Sequence, residues 1–323
     1  MYTAEKIKKA ESVDIVDYCM QNGIDVKTDN ERYYRLTDHD SCVIDRKKNA
    51  FFWNSRGRGG NVINFLQEYE GIHFKEAMQR LLEEDKYQQS SKVEFVVEPY
   101  EYDPAKEVSY FDKAKSYLTK ERKIDPTIVD HLHDRGLLKQ DNRNNVLFLW
   151  KEYEQVMGCS EQGTIKTDKL KRGSWKSIQK NSTANYGFNV KYGEPKNLKF
   201  FESSIDLLSY ASLNKEKLQD TQLISMEGLK HNTVTNYLLK SREELGDTPD
   251  SVSLCVDNDK AGKTFVEKFQ YLQIKKNDGS KYDFDLEFPT MDGCKDWNDQ
   301  LKKASSQREY ARQQQYLKNK MQR

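Results

Sequence analysis

Apolar residues recur at helical spacing over 7–20, and short apolar runs at 33–36, 41–45 and 50–54 read as strands around turn signals at 38–40 and 47–49. After Gly57-Arg58-Gly59-Gly60, residues 61–71 and 74–84 return to helical spacing. Residues 86–108 carry little periodicity and read as a linker with one strand at 94–97. Helices follow at 111–120 and 126–133, the second opened by Asp125-Pro126 and stopped by Gly136. The runs 144–152 and 155–162 read as a hairpin. From Leu198 the pattern becomes strand–helix alternation: strands at 199–202, 222–227, 251–257 and 284–289, with amphipathic helices at 203–215, 231–244, 261–272 and 296–304. Such alternation argues for a mostly parallel sheet covered on both faces. The expected organisation is a small α+β unit at 1–85, the linker 86–108, a basic subdomain at 109–197, an α/β domain at 198–305 and a basic tail at 306–323.

Composition narrows the class. A chain of 323 residues fits about two domains, and 36% hydrophobic against 33% charged residues is polar for a globular protein. Its 19 Tyr, 14 Phe and 4 Trp still supply the bulk to build cores, which argues against disorder. The longest clean apolar run, Val146 to Trp150, is far short of the ~20 residues of a membrane helix. The N-terminus is charged with no apolar stretch behind it. We therefore expect a cytoplasmic protein without a membrane partner. Five scattered cysteines without a CxxC pair argue against a disulfide framework and a cysteine zinc site.

Lys and Arg number 53 and Asp and Glu 52, so the distribution of charge matters more than its sum. In parallel sheets chemistry sits at the carboxyl ends of strands. Here one strand ends at Glu202, another at Asp257-Asn258-Asp259, and a third runs on to Asp296. Two aspartates at i and i+2 in a turn suit a hard divalent cation that keeps waters for substrate phosphates. Alone, each acid could equally be a solvated strand end. Three strand ends together favour a site that activates a hydroxyl and stabilises a leaving phosphate oxygen.

These residues carry a resemblance. Glu202-Ser203-Ser204-Ile205-Asp206-Leu207-Leu208-Ser209, Gly228, Val256-Asp257-Asn258-Asp259-Lys260-Ala261-Gly262 and Lys295-Asp296 resemble a Toprim domain, the Rossmann-like catalytic fold of DnaG-type primases, topoisomerases and some nucleases. The resemblance implies that Glu202 is the catalytic glutamate, which ligates metal or handles a proton. It makes Asp257 and Asp259 the metal-binding DxD, and Asp296 the acid that serves a second metal or a nucleotide phosphate. The implied cofactor is Mg²⁺ or Mn²⁺. Ser203 stands where a glycine usually follows the glutamate, and Asn298 where the last segment has its second acid, with Asp299 adjacent. Upstream, 51–66 is similar to the last strand, glycine turn and helix of the primase zinc ribbon. Trp53 and Arg56 occupy the places of its last two cysteines, and His39 and Cys42 cannot make four ligands. The ribbon shape is thus expected without zinc. The resemblance spans about 30–305 and implies a mobile-element primase of the kind found on plasmids and conjugative elements. Its implied partners are single-stranded DNA, ribonucleotides and a replicative helicase or relaxase.

Two surfaces suit nucleic acid. Lys166, Lys169, Lys171, Arg172, Lys176 and Lys180 surround Trp175 with Asp168 the one acid among them, a phosphate-neutralising loop with a ring to stack on a base. Trp53, Arg56 and Arg58 form the second, though strand alternation leaves open whether Phe52 or the pair Phe51 and Trp53 faces the core. The leading expectation is a DNA-dependent primase-like nucleotidyltransferase. The alternatives are a Toprim nuclease and a non-catalytic single-stranded DNA-binding accessory protein.

Overall fold

The computed structural model describes residues 2–30, 32–54, 56, 58–83, 87, 99–167, 173–270, 275–277 and 279–321, with the backbone alone at 29, 30, 268, 270 and 321. It divides into two units, Met1–Val97 and Glu98–Arg323. The strand expected at 94–97 lies outside the described residues.

In the first unit Asp14 breaks the helix expected over 7–20. Its carboxylate accepts from the Asp17 N–H and so starts a second helix, giving α1 (Ala4–Glu11) and α2 (Ile15–Gln21). Asn49 locks the break from afar. Its amide donates to Glu11 O and Val13 O, and its Oδ1 accepts from Ile15 N. Strands β1 (Val26–Asn30), β2 (Tyr33–Leu36), β3 (Cys42–Asp45), β4 (Ala50–Trp53) and β5 (Arg58–Gly60) form an antiparallel meander in chain order. Helices α3 (Val62–Tyr69) and α4 (Phe74–Leu81) follow, α3 opened by an Asn61 capping box. Along β4 the side chains alternate: Phe51 and Trp53 enter the core, and Phe52 faces out.

Where the resemblance would put the ribbon's metal, side chains pack together. Arg56 lies 3.5 Å over the Trp53 ring and donates to Glu68 O at 2.7 Å, while His39 packs against the other side chains there, 5.0 Å from Trp53. Cys42 sits opposite Trp53 in the ladder, and burial pushes its thiol up to about 12. A guanidinium and an indole offer no lone pair to zinc, so this donor set does not fit the ion.

In the second unit a 3-10 turn at Pro104–Lys106 is followed by α5 (Asp112–Ser116), which runs into a π-helical turn at Tyr117–Glu121, then α6 (Pro126–Asp134) behind its Asp125 cap. Strands β6 (Leu138–Gln140), β7 (Val146–Glu152), β8 (Gln155–Gln162) and β9 (Lys176–Ile178) make an antiparallel sheet in that order, with β7 and β8 the expected hairpin. Next come β10 (Asn189–Tyr192), β11 (Asn197–Phe201), α7 (Ser204–Leu213), β12 (Thr221–Ser225), α8 (His231–Leu245), β13 (Ser251–Leu254), α9 (Lys260–Gln270), β14 (Asp285–Leu286) and α10 (Trp297–Met321). The second sheet has the order β10-β12-β11-β13-β14; β11 to β14 run parallel, and β10 adds an antiparallel edge.

Both faces of this sheet are buried, as a parallel sheet requires. Successive residues of β11 serve opposite cores: Phe200 packs with Val234, Leu254 and Phe265, and Phe201 with Phe148, Leu208 and Trp297. The second of these cores also takes Phe111, Ile128 and Trp150 from the antiparallel half. Residues 109–197, expected as a basic subdomain, and 198–305, expected as the α/β domain, share one core in one unit. The segment expected as a tail from 306 continues α10, with its described side chains exposed from Ser306 to Lys320. Among the described residues no helix is long and apolar enough to cross a membrane.

Candidate active site

At the carboxyl ends of β11 and β13 the chain turns into helices capped by a hydroxylic or an acidic residue. Ser203 caps α7: its Oγ accepts from the Asp206 N–H at 3.3 Å, and its hydroxyl donates back to Asp206 Oδ2. Asp259 caps α9 by accepting from the Gly262 N–H at 2.9 Å. Asp296 caps α10 by accepting from the Asp299 N–H at 2.7 Å. Helix N-termini carry partial positive charge, so all three turns stabilise carboxylates at one end of the sheet. The Asn258 N–H donates to Lys295 O at 2.7 Å, which ties the DxD turn to the Asp296 segment. Gly262 is required here, because a Cβ at that position would stand 2.2 Å from Asp257 O.

The acids repel one another strongly. Burial, then the charges of Asp206, Glu202, Asp296 and Asp259, push the Asp257 carboxyl up to about 9. Its Oδ1 is buried with no hydrogen-bond donor. Asp206, buried in the first turn of α7, is pushed up to about 6, by burial first and by Asp296 next, against the opposing Ser203 hydroxyl and Lys176. Glu202, Asp257, Asp259 and Asp296 stand out in the sequence as site residues, and Asp206 does not. The available signal was an aspartate alone in the otherwise uncharged helix SIDLLSYASL. Among the described residues no three His, Cys, Asp or Glu side chains converge as a ready-made metal cage. The other acids act on the Asp257 carboxyl, with its orphaned oxygen, through their charge.

Asn298 does not belong to this set. It is buried, donates to Arg122 O at 2.8 Å and Ser209 Oγ at 2.9 Å, and accepts from Arg122 at 3.1 Å. It fastens α10 to the π-helical turn and to α7. Beside Glu202 a cleft of about 570 Å³ opens between the two sheets, lined by Ser203, Ser204 and Glu227 on one side and Ser160, Lys176 and Ile178 on the other. A larger cavity of about 720 Å³ around Tyr186, Tyr237 and Lys240 is lined by none of the acids.

Residues 200–301 match the family described as Toprim-like, and residues 116–195 match a protein family of unknown function, DUF3991. The chain is also 61% identical over 320 residues to the uncharacterized protein pXO2-78 of Bacillus anthracis, covering 97% of this chain and 93% of that protein. The chain belongs to that protein's family and carries a Toprim-like domain. Among solved structures it is similar to the zinc-binding and RNA polymerase domains of Aquifex aeolicus primase, at 18% identity over 83% of this chain and 75% of that one with a TM-score of 0.30. It is similar also to the primase fragment of the bacteriophage T7 primase-helicase, at 14% identity over 80% and 87% of the two chains with a TM-score of 0.38. The RNA polymerase domain of Mycobacterium tuberculosis DnaG matches at 13% identity over 59% and 72%, with a TM-score of 0.38.

The Toprim-like domain thus holds the five acids at strand ends and helix starts, and the DUF3991 region supplies the facing wall of the cleft. Of the basic loop, Lys169, Lys171 and Arg172 lie outside the described residues. Lys166 pairs with Glu121 at 3.6 Å, Lys180 is exposed, and Lys176 reaches the cleft and the Asp206 charge. Trp175 is 39% exposed, enough to offer a ring face. In the first unit Trp53 is 1% exposed and cannot stack on a base, which corrects its assignment to a nucleic-acid surface; Phe52, 51% exposed, is the outward ring of that strand. Arg56 is held on Trp53, and Arg58 lies 3.9 Å from Glu68.

Proposed function

We propose that this protein is a primase-like nucleotidyltransferase that joins ribonucleotides on a single-stranded DNA template in plasmid or mobile-element replication or transfer. The observation that carries this reading is the buried, unpartnered Asp257 oxygen, whose carboxyl feels the charges of four further acids, one of them, Glu202, lining a nucleotide-sized cleft. An all-oxygen, negatively charged donor set with an orphaned oxygen suits Mg²⁺ or Mn²⁺, with Asp257, Asp259, Glu202 and Asp296 as the residues that would hold it. Such a cation supplies activation of the attacking hydroxyl and stabilisation of the leaving phosphate oxygen.

The chain's own residues do the positioning. The Ser203, Asp259 and Asp296 caps fix the orientation of the acids before substrate arrives. Lys176, on the facing wall, offers a cation to phosphates at the cleft mouth. The basic loop with Trp175 would carry the template by phosphate neutralisation and stacking. The absence of a converged cage among the described residues favours, as a second reading, an accessory protein that binds single strands without catalysis. Incubation with labelled ribonucleotides on an unprimed single-stranded template separates these readings. Labelled product supports the primase; template cleavage dependent on Asp257 supports a nuclease; template binding without product supports the accessory protein.

A further inference from the structure

Glu227 is an acid that the proposed chemistry leaves unused. It sits just past β12, in the cleft that Glu202 also lines. Its backbone is left-handed at φ 51, a conformation that a glutamate adopts only when its surroundings hold it. The next residue, Gly228, donates its N–H to Glu202 O at 2.8 Å, so the turn folds back against the acidic strand end. The Glu227 N–H donates to Ser225 Oγ at 3.2 Å.

The side chain is fixed as firmly. Ser204 donates to Glu227 Oε1 at 2.7 Å from the first turn of α7, and Ser160 donates to the same oxygen at 3.1 Å from β8. Ser160 is held in turn by the Trp150 indole N–H at 3.2 Å. Both hydroxyls fall on Oε1, which leaves Oε2 to accept from a ligand. Apolar Phe148, Ile178 and Ile205 line the same cleft, and Lys176 gives it a cation. Its volume, about 570 Å³, lies in the range of small-molecule sites.

A preoriented carboxylate that accepts from hydroxyls, set apart from a phosphate-directed acid cluster, is the arrangement by which proteins grip a ribose. We propose that Glu227 recognises the ribose of the incoming nucleotide, accepting through Oε2 from its 2′-hydroxyl while the phosphates point toward Glu202 and Asp257. This rests on the nucleotidyltransferase reading and adds to it the discrimination of ribonucleotides from deoxyribonucleotides. A polar group built to meet a hydroxyl is left unpaired by the analogue that lacks it, which is a strong source of selectivity.

The test is calorimetric titration of the full chain with ATP and with 2′-deoxy-ATP in Mg²⁺, repeated for Glu227→Gln and Glu227→Ala. The wild type is expected to bind ATP at least about tenfold more tightly than 2′-deoxy-ATP. Glu227→Ala should bring ATP down to the level of the deoxynucleotide and leave the latter unchanged, with Glu227→Gln between. Equal wild-type affinity for the two nucleotides, or a preference that survives in Glu227→Ala, overturns the ribose assignment and leaves the nucleotidyltransferase reading standing. A wild type that binds neither nucleotide overturns both.

Discussion

Replacing Asp257 by asparagine should stabilise the protein, and more so as pH rises. The Asp257 carboxyl is raised from 3.8 to about 9, chiefly by burial and then by the acids around it. The folded state therefore retains a proton that the unfolded chain sheds, and stability falls as pH climbs from about 4 to about 9. At ~1.4 kcal/mol per pH unit, holding that proton at pH 8 costs about 6 kcal/mol, against about 2 kcal/mol at pH 5. Asp257 is partly exposed, and solvent screening brings these to about 3 and about 1 kcal/mol. Asparagine keeps the shape and removes the charge. In a unit of this size 1 kcal/mol moves Tm by ~2–4 °C. Asp257→Asn should thus melt ~6–12 °C above the wild type at pH 8 and only ~2–4 °C above it at pH 5, in chelator without added cation. Differential scanning calorimetry at the two pH values measures this. A variant that melts at or below the wild type at pH 8, or whose advantage is the same at both pH values, would refute the picture of Asp257 as a half-buried carboxyl under repulsion.

Three further outcomes follow from particular contacts. Asn298→Ala strips buried partners from Arg122 and Ser209 and should cost ~1–3 kcal/mol in urea denaturation; an unchanged midpoint would show that Asn298 is no structural tie. Gly262→Ala forces a Cβ against Asp257 O, so the turn must shift; we expect a loss of ~1–3 kcal/mol and of divalent-cation affinity by titration, whereas wild-type affinity would contradict the required close approach. Trp175→Ala should weaken single-stranded DNA binding by ~1–3 kcal/mol at constant salt slope, while Lys176→Glu should flatten the log–log slope by ~0.7 or more; equal behaviour of the two variants would remove the division between stacking and phosphate contact.

The parallel sheet was legible because each of its strands is a short apolar run separated by an amphipathic helix, a pattern that the buried faces of Phe200 and Phe201 explain. The edge strand β10 was not, since Asn189 to Tyr192 are mixed in polarity, as an edge allows. Of the acids, four stood out because they follow strands in loops, where charge interrupts an apolar pattern. Asp206 was hidden one turn inside a helix, and only its burial against Asp296 reveals it. Asn298 read as a lapsed acid by its place in the motif, although its three hydrogen bonds make it a fastener. Trp53 was ambiguous because alternation gives two solutions for Phe51-Phe52-Trp53; the stacking of Arg56 on the indole decides between them, and that contact depends on a turn three residues away. The break at Asp14 was equally non-local, since three of its hydrogen bonds come from Asn49.

Incorporation of labelled ribonucleotides on an unprimed single-stranded template, measured with Mg²⁺ or Mn²⁺ and with chelator, for the wild type, Asp257→Asn and Asp259→Asn, decides whether the acids serve nucleotide joining. The acid site is expected to give cation-dependent product with the wild type and none with either variant. Both variants should still bind the template as well as the wild type or better, because neutral amides hold the cation poorly and repel phosphates less. Product that persists in chelator or in both variants, or a wild type that binds the template and makes no product with either ion, would contradict that role.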